Sequence, residues 1–165
     1  MKSKLRGITV SAVIAAIYAV ITLMPGINLF SYGPVQFRVS EALTVLPIFT
    51  PWAIPGLAVG CFISNILSSV GPLDMLFGTI ATLLASACTY YMRKLPKCIS
   101  VLPAVVFNGV IIGFMITYFY MDTAGNFMSV FLYNMATVSL GEFAVCYILG
   151  LPLAMYMEKH KIFKI

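Results

Sequence analysis

Glu142 stands in "LYNMATVSLGE", a stretch otherwise apolar enough to sit in lipid. An ionisable group at membrane depth is costly and usually faces an interior or a wet cavity. Asn134 and Val138 precede it at steps of four, which brings Asn134 and Glu142 to approximately one helix face. Two readings stay open for Glu142: a ligand contact in a polar pocket, or a buried structural partner for an arginine such as Arg38.

The stretch "YGPVQFRVSEALTVLP", Tyr32 to Pro47, gathers Gln36, Arg38, Ser40 and Glu41 where one apolar run gives way to another. Arg38 and Glu41 are three apart and would be neighbours on a helix. Ser40 can cap that helix, with Glu41 favouring its dipole from the first turn, and Arg38 can snorkel to headgroups. Several hydrogen-bonding groups at one rim also read as a pocket wall. Asn65 and Asn108 add amides in apolar surroundings, either as bonds between helices or as further lining beside Asn134 and Glu142. Asp74, after Gly71 and Pro72, reads as a helix-start residue rather than a ligand contact.

Such groups need a scaffold of membrane helices. The chain is 61% hydrophobic and 9% charged, far too apolar for the surface of a soluble domain of this length. Punctuation by Pro, Gly and charge predicts an all-α, polytopic membrane protein of six apolar segments forming one domain over residues 1–165. They run from about Gly7 to Met24, from Ser40 to "FTPWAIPG", from Trp52 to Ser68, from "SSVGPLD" to Arg93, from Ile99 to Tyr120, and from Phe127 to Met157. Segments two and three are short for full spans, which leaves a tilted or re-entrant arrangement open. Counting one span back from "MEKHK" sets an outer boundary near Val138, with Glu142 one turn inside it.

Nine of the ten basic residues fall in three clusters: Lys2, Lys4 and Arg6; Arg93, Lys94 and Lys97; Lys159, Lys161 and Lys164. Each flanks the end of an apolar segment. With six crossings all three lie on one side, cytoplasmic by the positive-inside rule, so both termini are expected there. Anionic headgroups suit these clusters. No aromatic residues interleave them as a nucleic-acid groove requires. The basic start reads as a retained first helix rather than a cleaved leader. Cys61, Cys88, Cys98 and Cys146 are scattered, without metal-ligand or disulfide spacing. His160 lies in the basic tail. No phosphate loop or catalytic constellation is recognisable, so no cofactor is expected in this chain. A pocket without an engine points to a binding subunit that borrows its energy.

In the first segment Ser11, Ala15 and Ala19 recur every fourth residue, as do Ala12 and Ala16. Small residues at that spacing allow close helix approach, within the chain or against a separate subunit.

The run "YGPVQFRVSEALTVLPIFTPWAIPGLAVGCFISNILSSVGPLDMLFGTIATLLA", with "FNGVIIG", "LYNMATVSLGE" and "LGLPL", closely resembles the QueT family of S-components from energy-coupling factor (ECF) transporters. The resemblance covers most of the chain. It implies a six-helix S-component in the bacterial plasma membrane with a ligand pocket near the outer face. The implied ligand is a queuosine precursor, a 7-deazaguanine. The implied partners are a transmembrane T-component and two ATPase subunits that hydrolyse the ATP. It also implies docking through A-x-x-x-A on the first helix, matched by Ala12 and Ala16 or by Ala15 and Ala19.

Residue chemistry fits that ligand. A guanine-type edge presents two N–H donors beside a carbonyl, and one carboxylate accepts both donors at once. Glu142 is the expected acceptor. Gln36, Arg38 or an asparagine amide would serve the carbonyl, Glu41 a cationic 7-substituent, and Tyr32, Phe37 or Tyr133 would stack on the base. Three other readings remain: an S-component for another vitamin-like compound, a membrane enzyme using Glu41 and Glu142 as acid and base, and a structural assembly subunit.

Overall fold

The computed structural model describes residues 2–24, 37–66, 72–120 and 126–162. Among these there are helices and no strand. In chain order they form α1 (Lys2–Leu23), α2 (Val39–Ile48), α3 (Ala53–Asn65), α4 (Pro72–Tyr91), α5 (Lys97–Tyr120) and α6 (Phe127–Lys159). Four of the six, α1, α4, α5 and α6, are long and apolar enough to cross a membrane. The protein is a multi-pass membrane protein, and the six segments read from hydropathy are the six helices.

Local sequence explains the irregular elements. α2 carries Pro47 and is wound as a 3-10 helix, because a proline removes an i→i−4 bond and clashes with the preceding turn. The tighter winding rises about 2 Å per residue, so ten residues reach roughly 20 Å. α3 has 13 residues and a similar reach of about 20 Å. Both fall short of the ~30 Å apolar layer.

α6 is 33 residues long, about 50 Å of helix. It begins at Phe127, where the Asn126 side chain accepts a hydrogen bond from the Met128 N–H at 3.1 Å. The helix therefore continues well before Val138, where counting a single span back from the basic tail sets the outer boundary, and Glu142 lies near the middle of the helix. Just beyond it, Cys146–Gly150 widens into a π-helical turn, with the Leu151 N–H bonded to the Cys146 carbonyl. Pro152 accounts for this: a regular helix would drive its ring into the Ile148 carbonyl.

Close packing rests on small residues. A Cβ on Gly60 would lie 2.8 Å from Tyr18 Cβ and 2.9 Å from the Ala15 carbonyl, so α1 and α3 touch backbone to backbone. α5 meets α6 the same way at Gly113, whose Cβ would lie 2.8 Å from Met135 Cα. One apolar cluster joins Ile14, Tyr18, Leu46, Leu57, Cys61 and Met157, drawing on α1, α2, α3 and α6. A second joins Ala81, Ile112, Met115 and Val138 of α4, α5 and α6. The outward faces are also apolar, with Leu5, Val20, Leu76, Leu140 and Ile148 exposed, while Arg38, Glu41, Asp74 and Glu142 are buried. Greasy outside and charged inside is the pattern of a helix bundle in lipid.

The two ends of the bundle differ. The Lys97–Glu158 ion pair and the Ser100 hydroxyl bonded to the Met92 carbonyl at 2.8 Å gather the basic ends of α4, α5 and α6. Of the buried charged residues, Arg38 and Glu41 lie at the start of α2, Asp74 at the start of α4 and Glu142 near the middle of α6.

Candidate functional site

Arg38 precedes α2 in extended conformation, φ −89° and ψ 93°. That directs its side chain to the first turn of α4. There Nη2 donates to Asp74 Oδ1 and Oδ2 at 2.8 and 2.7 Å, with the two side chains 4% and 0% exposed. Asn65 closes the corner: its Nδ2 donates to the Asp74 carbonyl at 3.1 Å and to Cys61 Sγ at 3.4 Å. Arg38 thus pairs with neither Glu41 nor Glu142. Asp74 does occupy the first turn of α4, as its sequence context indicates, but its carboxylate is committed to Arg38.

One turn into α2, Glu41 is fully buried. Its Oε1 accepts a short hydrogen bond from the Tyr18 hydroxyl and another from Thr82 Oγ1 at 3.3 Å. Its Oε2 is buried without a hydrogen-bond partner among the described residues. Ser40 does not cap α2. Its hydroxyl instead accepts from Thr22 Oγ1 at 2.6 Å, a further tie to α1.

Glu142 reaches the same interior from α6. It is 4% exposed, and among the described residues it accepts a weak hydrogen bond from the Cys146 thiol to Oε2 at 3.8 Å. Cys146 joins the two acids: its sulfur also lies 3.9 Å from the Glu41 carbonyl and 3.7 Å from Thr44 Oγ1. Glu142, Glu41 and Arg38 lie within electrostatic reach of one another.

Asn108 completes the cluster from α5. Ala104, one turn before it, packs with Ala85 and Cys146, and Ile112, one turn after it, packs with Ala81 and Val138. Asn108 therefore sits at the level of Glu142, between the same layers. It is buried, and its Nδ2 has no partner among the described residues; the same holds for Asn65 Oδ1.

Other expected site residues lie elsewhere. Asn134 donates to Thr117 Oγ1 at 3.0 Å, which ties α6 to α5. Tyr133 is 67% exposed on the outer surface, and Phe37 is also exposed. Gln36 and Tyr32 lie outside the described residues. Sequence reasoning did not find Tyr18, Thr82 or Cys146. Tyr18 had one usable signal, a hydroxyl placed between Ala15 and Ala19 on a small-residue face.

The first-helix stripe divides in two. Ala15 and Ala19 are buried, Ala15 directly beneath Gly60, and the Ser11 hydroxyl donates to the Trp52 carbonyl at 2.6 Å. Ala12 and Ala16 face outward.

Comparison with known proteins gives two matches. A family model described as "QueT transporter" matches residues 8–159. A curated protein of Lactococcus lactis subsp. cremoris (strain MG1363), called "Queuosine precursor transporter QueT", is 43% identical over 82 residues, 50% of this chain and 48% of that protein. The match thus spans about half the length of that relative. No solved structure matches the chain.

Proposed function

The chain belongs to the QueT transporter family, and from that premise we propose that it is the substrate-binding subunit of an ECF-type importer of queuosine precursors. Its ligand is a 7-deazaguanine: queuine, or the aminomethyl or cyano form. A T-component and two ATPase subunits supply the ATP-driven step. The chain itself is not an enzyme and carries no cofactor. Both termini lie in the cytoplasm, with the three basic clusters.

The observation that carries this reading is a set of buried polar atoms in the bundle interior without partners among the described residues, Glu41 Oε2, Asn65 Oδ1 and Asn108 Nδ2, beside Glu142 with its weak thiol donor. Leaving such groups unpaired in an apolar medium costs about 1–3 kcal/mol each. A planar ligand with matching donors and acceptors would recover that loss. Glu142 would take the two adjacent N–H donors of the guanine-type edge, and the Asn108 amide would donate to the neighbouring carbonyl.

The test is calorimetric titration of the purified chain in detergent with queuine and the aminomethyl and cyano deazaguanines, with guanine and an unrelated vitamin as controls. One-to-one binding of a deazaguanine, well above guanine, is the expected result. Silence from every deazaguanine in a folded sample refutes the substrate class. Uptake in proteoliposomes is expected to need the T-component and ATPases together, and uptake by the chain alone would refute the ECF assignment.

A further inference from the structure

Arg38 is the one basic residue of the chain outside the three clusters at the helix ends. No other side chain of the protein can therefore bring a permanent positive charge to the buried site. Inside, that single cation faces three acids, Asp74, Glu41 and Glu142, and Asp74 holds it at 2.7 Å. The donors to the other two carboxylates are neutral: the Tyr18 and Thr82 hydroxyls on Glu41 and the Cys146 thiol on Glu142. Neither of these acids forms an ion pair among the described residues.

We propose that these two buried carboxyl groups, neither held by a cation, make the site select a cationic ligand. Among the deazaguanines it favours the 7-aminomethyl form, a primary ammonium, over the neutral 7-cyano form. The inference rests on the deazaguanine reading above and adds to it the charge of the preferred substrate.

The two carboxylates differ in what they leave open, and that assigns their roles. Glu41 has one oxygen already engaged by two hydroxyls and one, Oε2, buried and open. A single open oxygen suits a point-like ammonium. Among the described residues Glu142 is held by one weak thiol donor, so it can offer both oxygens to the paired N–H donors of the ring edge. The Asn108 amide, buried at the level of Glu142 with its own donor open, independently marks this space as a ligand position. The ligand ammonium would replace the missing countercharge, because a buried acid without a cation is costly.

The experiment is competitive binding to the full chain in detergent with three ligands that share one ring edge: 7-aminomethyl-, 7-hydroxymethyl- and 7-cyano-7-deazaguanine. The hydroxymethyl form matches the aminomethyl form in size but is neutral. The aminomethyl form is expected to bind about 10- to 100-fold tighter than either neutral form, the range of one charge-assisted hydrogen bond. In Glu41→Gln the preference is expected to fall within about threefold while cyano binding persists. Equal or tighter binding of a neutral form by the unaltered protein overturns the charge inference and leaves the deazaguanine reading standing. Failure of all three ligands overturns both. Should Glu41→Gln not fold, the comparison of aminomethyl with hydroxymethyl ligand on the unaltered chain decides the matter.

Discussion

Replacing Asp74 with asparagine removes the counterion of Arg38 while keeping the side chain's shape. Arg38 is 4% exposed and its Nη2 lies 2.7 and 2.8 Å from the Asp74 oxygens. Breaking a buried pair from one side takes its counterion from the remaining charge and typically costs 3–5 kcal/mol. Asparagine still offers one carbonyl oxygen, which places the loss near the lower end, about 3 kcal/mol. For a chain of this length that is a fall in melting temperature of roughly 6–12 °C. The protein carries its own reporter. Cys61 and Cys146 are buried while Cys98 is exposed, so a thiol-reactive dye in detergent shows a late step as the bundle opens. Replacing the pair by Arg38→Met with Asp74→Leu removes both charges together and is expected to recover most of the loss. A melting point within about 2 °C of the parent for Asp74→Asn, or a double variant no better than the single one, would refute the claim that this pair locks α2 to α4.

Other outcomes follow from placement, one of them together with the proposed docking of α1 on a T-component. Gly60→Val is expected to lower the thiol-dye melting point by more than 10 °C, because a Cβ there meets Tyr18 Cβ at 2.8 Å and the Ala15 backbone, and forcing α1 off α3 disturbs the Tyr18–Glu41 bond. Ala16→Leu, on the outward face of α1, is expected to leave melting and ligand affinity unchanged but to cut T-component-dependent uptake at least fivefold, as measured in proteoliposomes. Tyr133→Ala is expected to change ligand affinity less than about twofold in the same calorimetric titration, since the ring is 67% exposed on the outer surface.

How much of this was legible in the sequence depends on the range of the interaction. The six helices were readable because apolar runs, prolines and charge clusters are local signals, and the break between α2 and α3 fell at "FTPWAIPG", where Pro51 separates them. The extent of α6 was readable as well, since the segment from Phe127 to Met157 coincides with Phe127–Lys159, and the Asn126 cap marks its start. Burial of Arg38, Glu41, Asn65, Asn108 and Glu142 was foreseeable from cost: polar groups in apolar runs must turn inward. Their partners were not. Asp74 is 36 residues from Arg38, and Tyr18 is 23 from Glu41. No local pattern connects positions brought together by helix packing. The division of the first-helix stripe was half legible. Gly56 and Gly60 on α3 are the small-residue counterpart that seats Ser11 and Ala15, and matching the two spacings would have separated the Ala15 face from the Ala12–Ala16 face.

The central claim, that Glu142 holds the ring edge of a deazaguanine inside this bundle, is tested most directly by calorimetric titration of Glu142→Gln beside the unaltered chain. A glutamine there sets an amide donor against ligand donors and removes one acceptor. The expected result is a loss of affinity of about 100-fold or more, with the thiol-dye melting curve unchanged because Glu142 makes one weak hydrogen bond among the described residues. Affinity retained within about threefold, in a variant that melts like its parent, would contradict the claim and move the ligand away from Glu142.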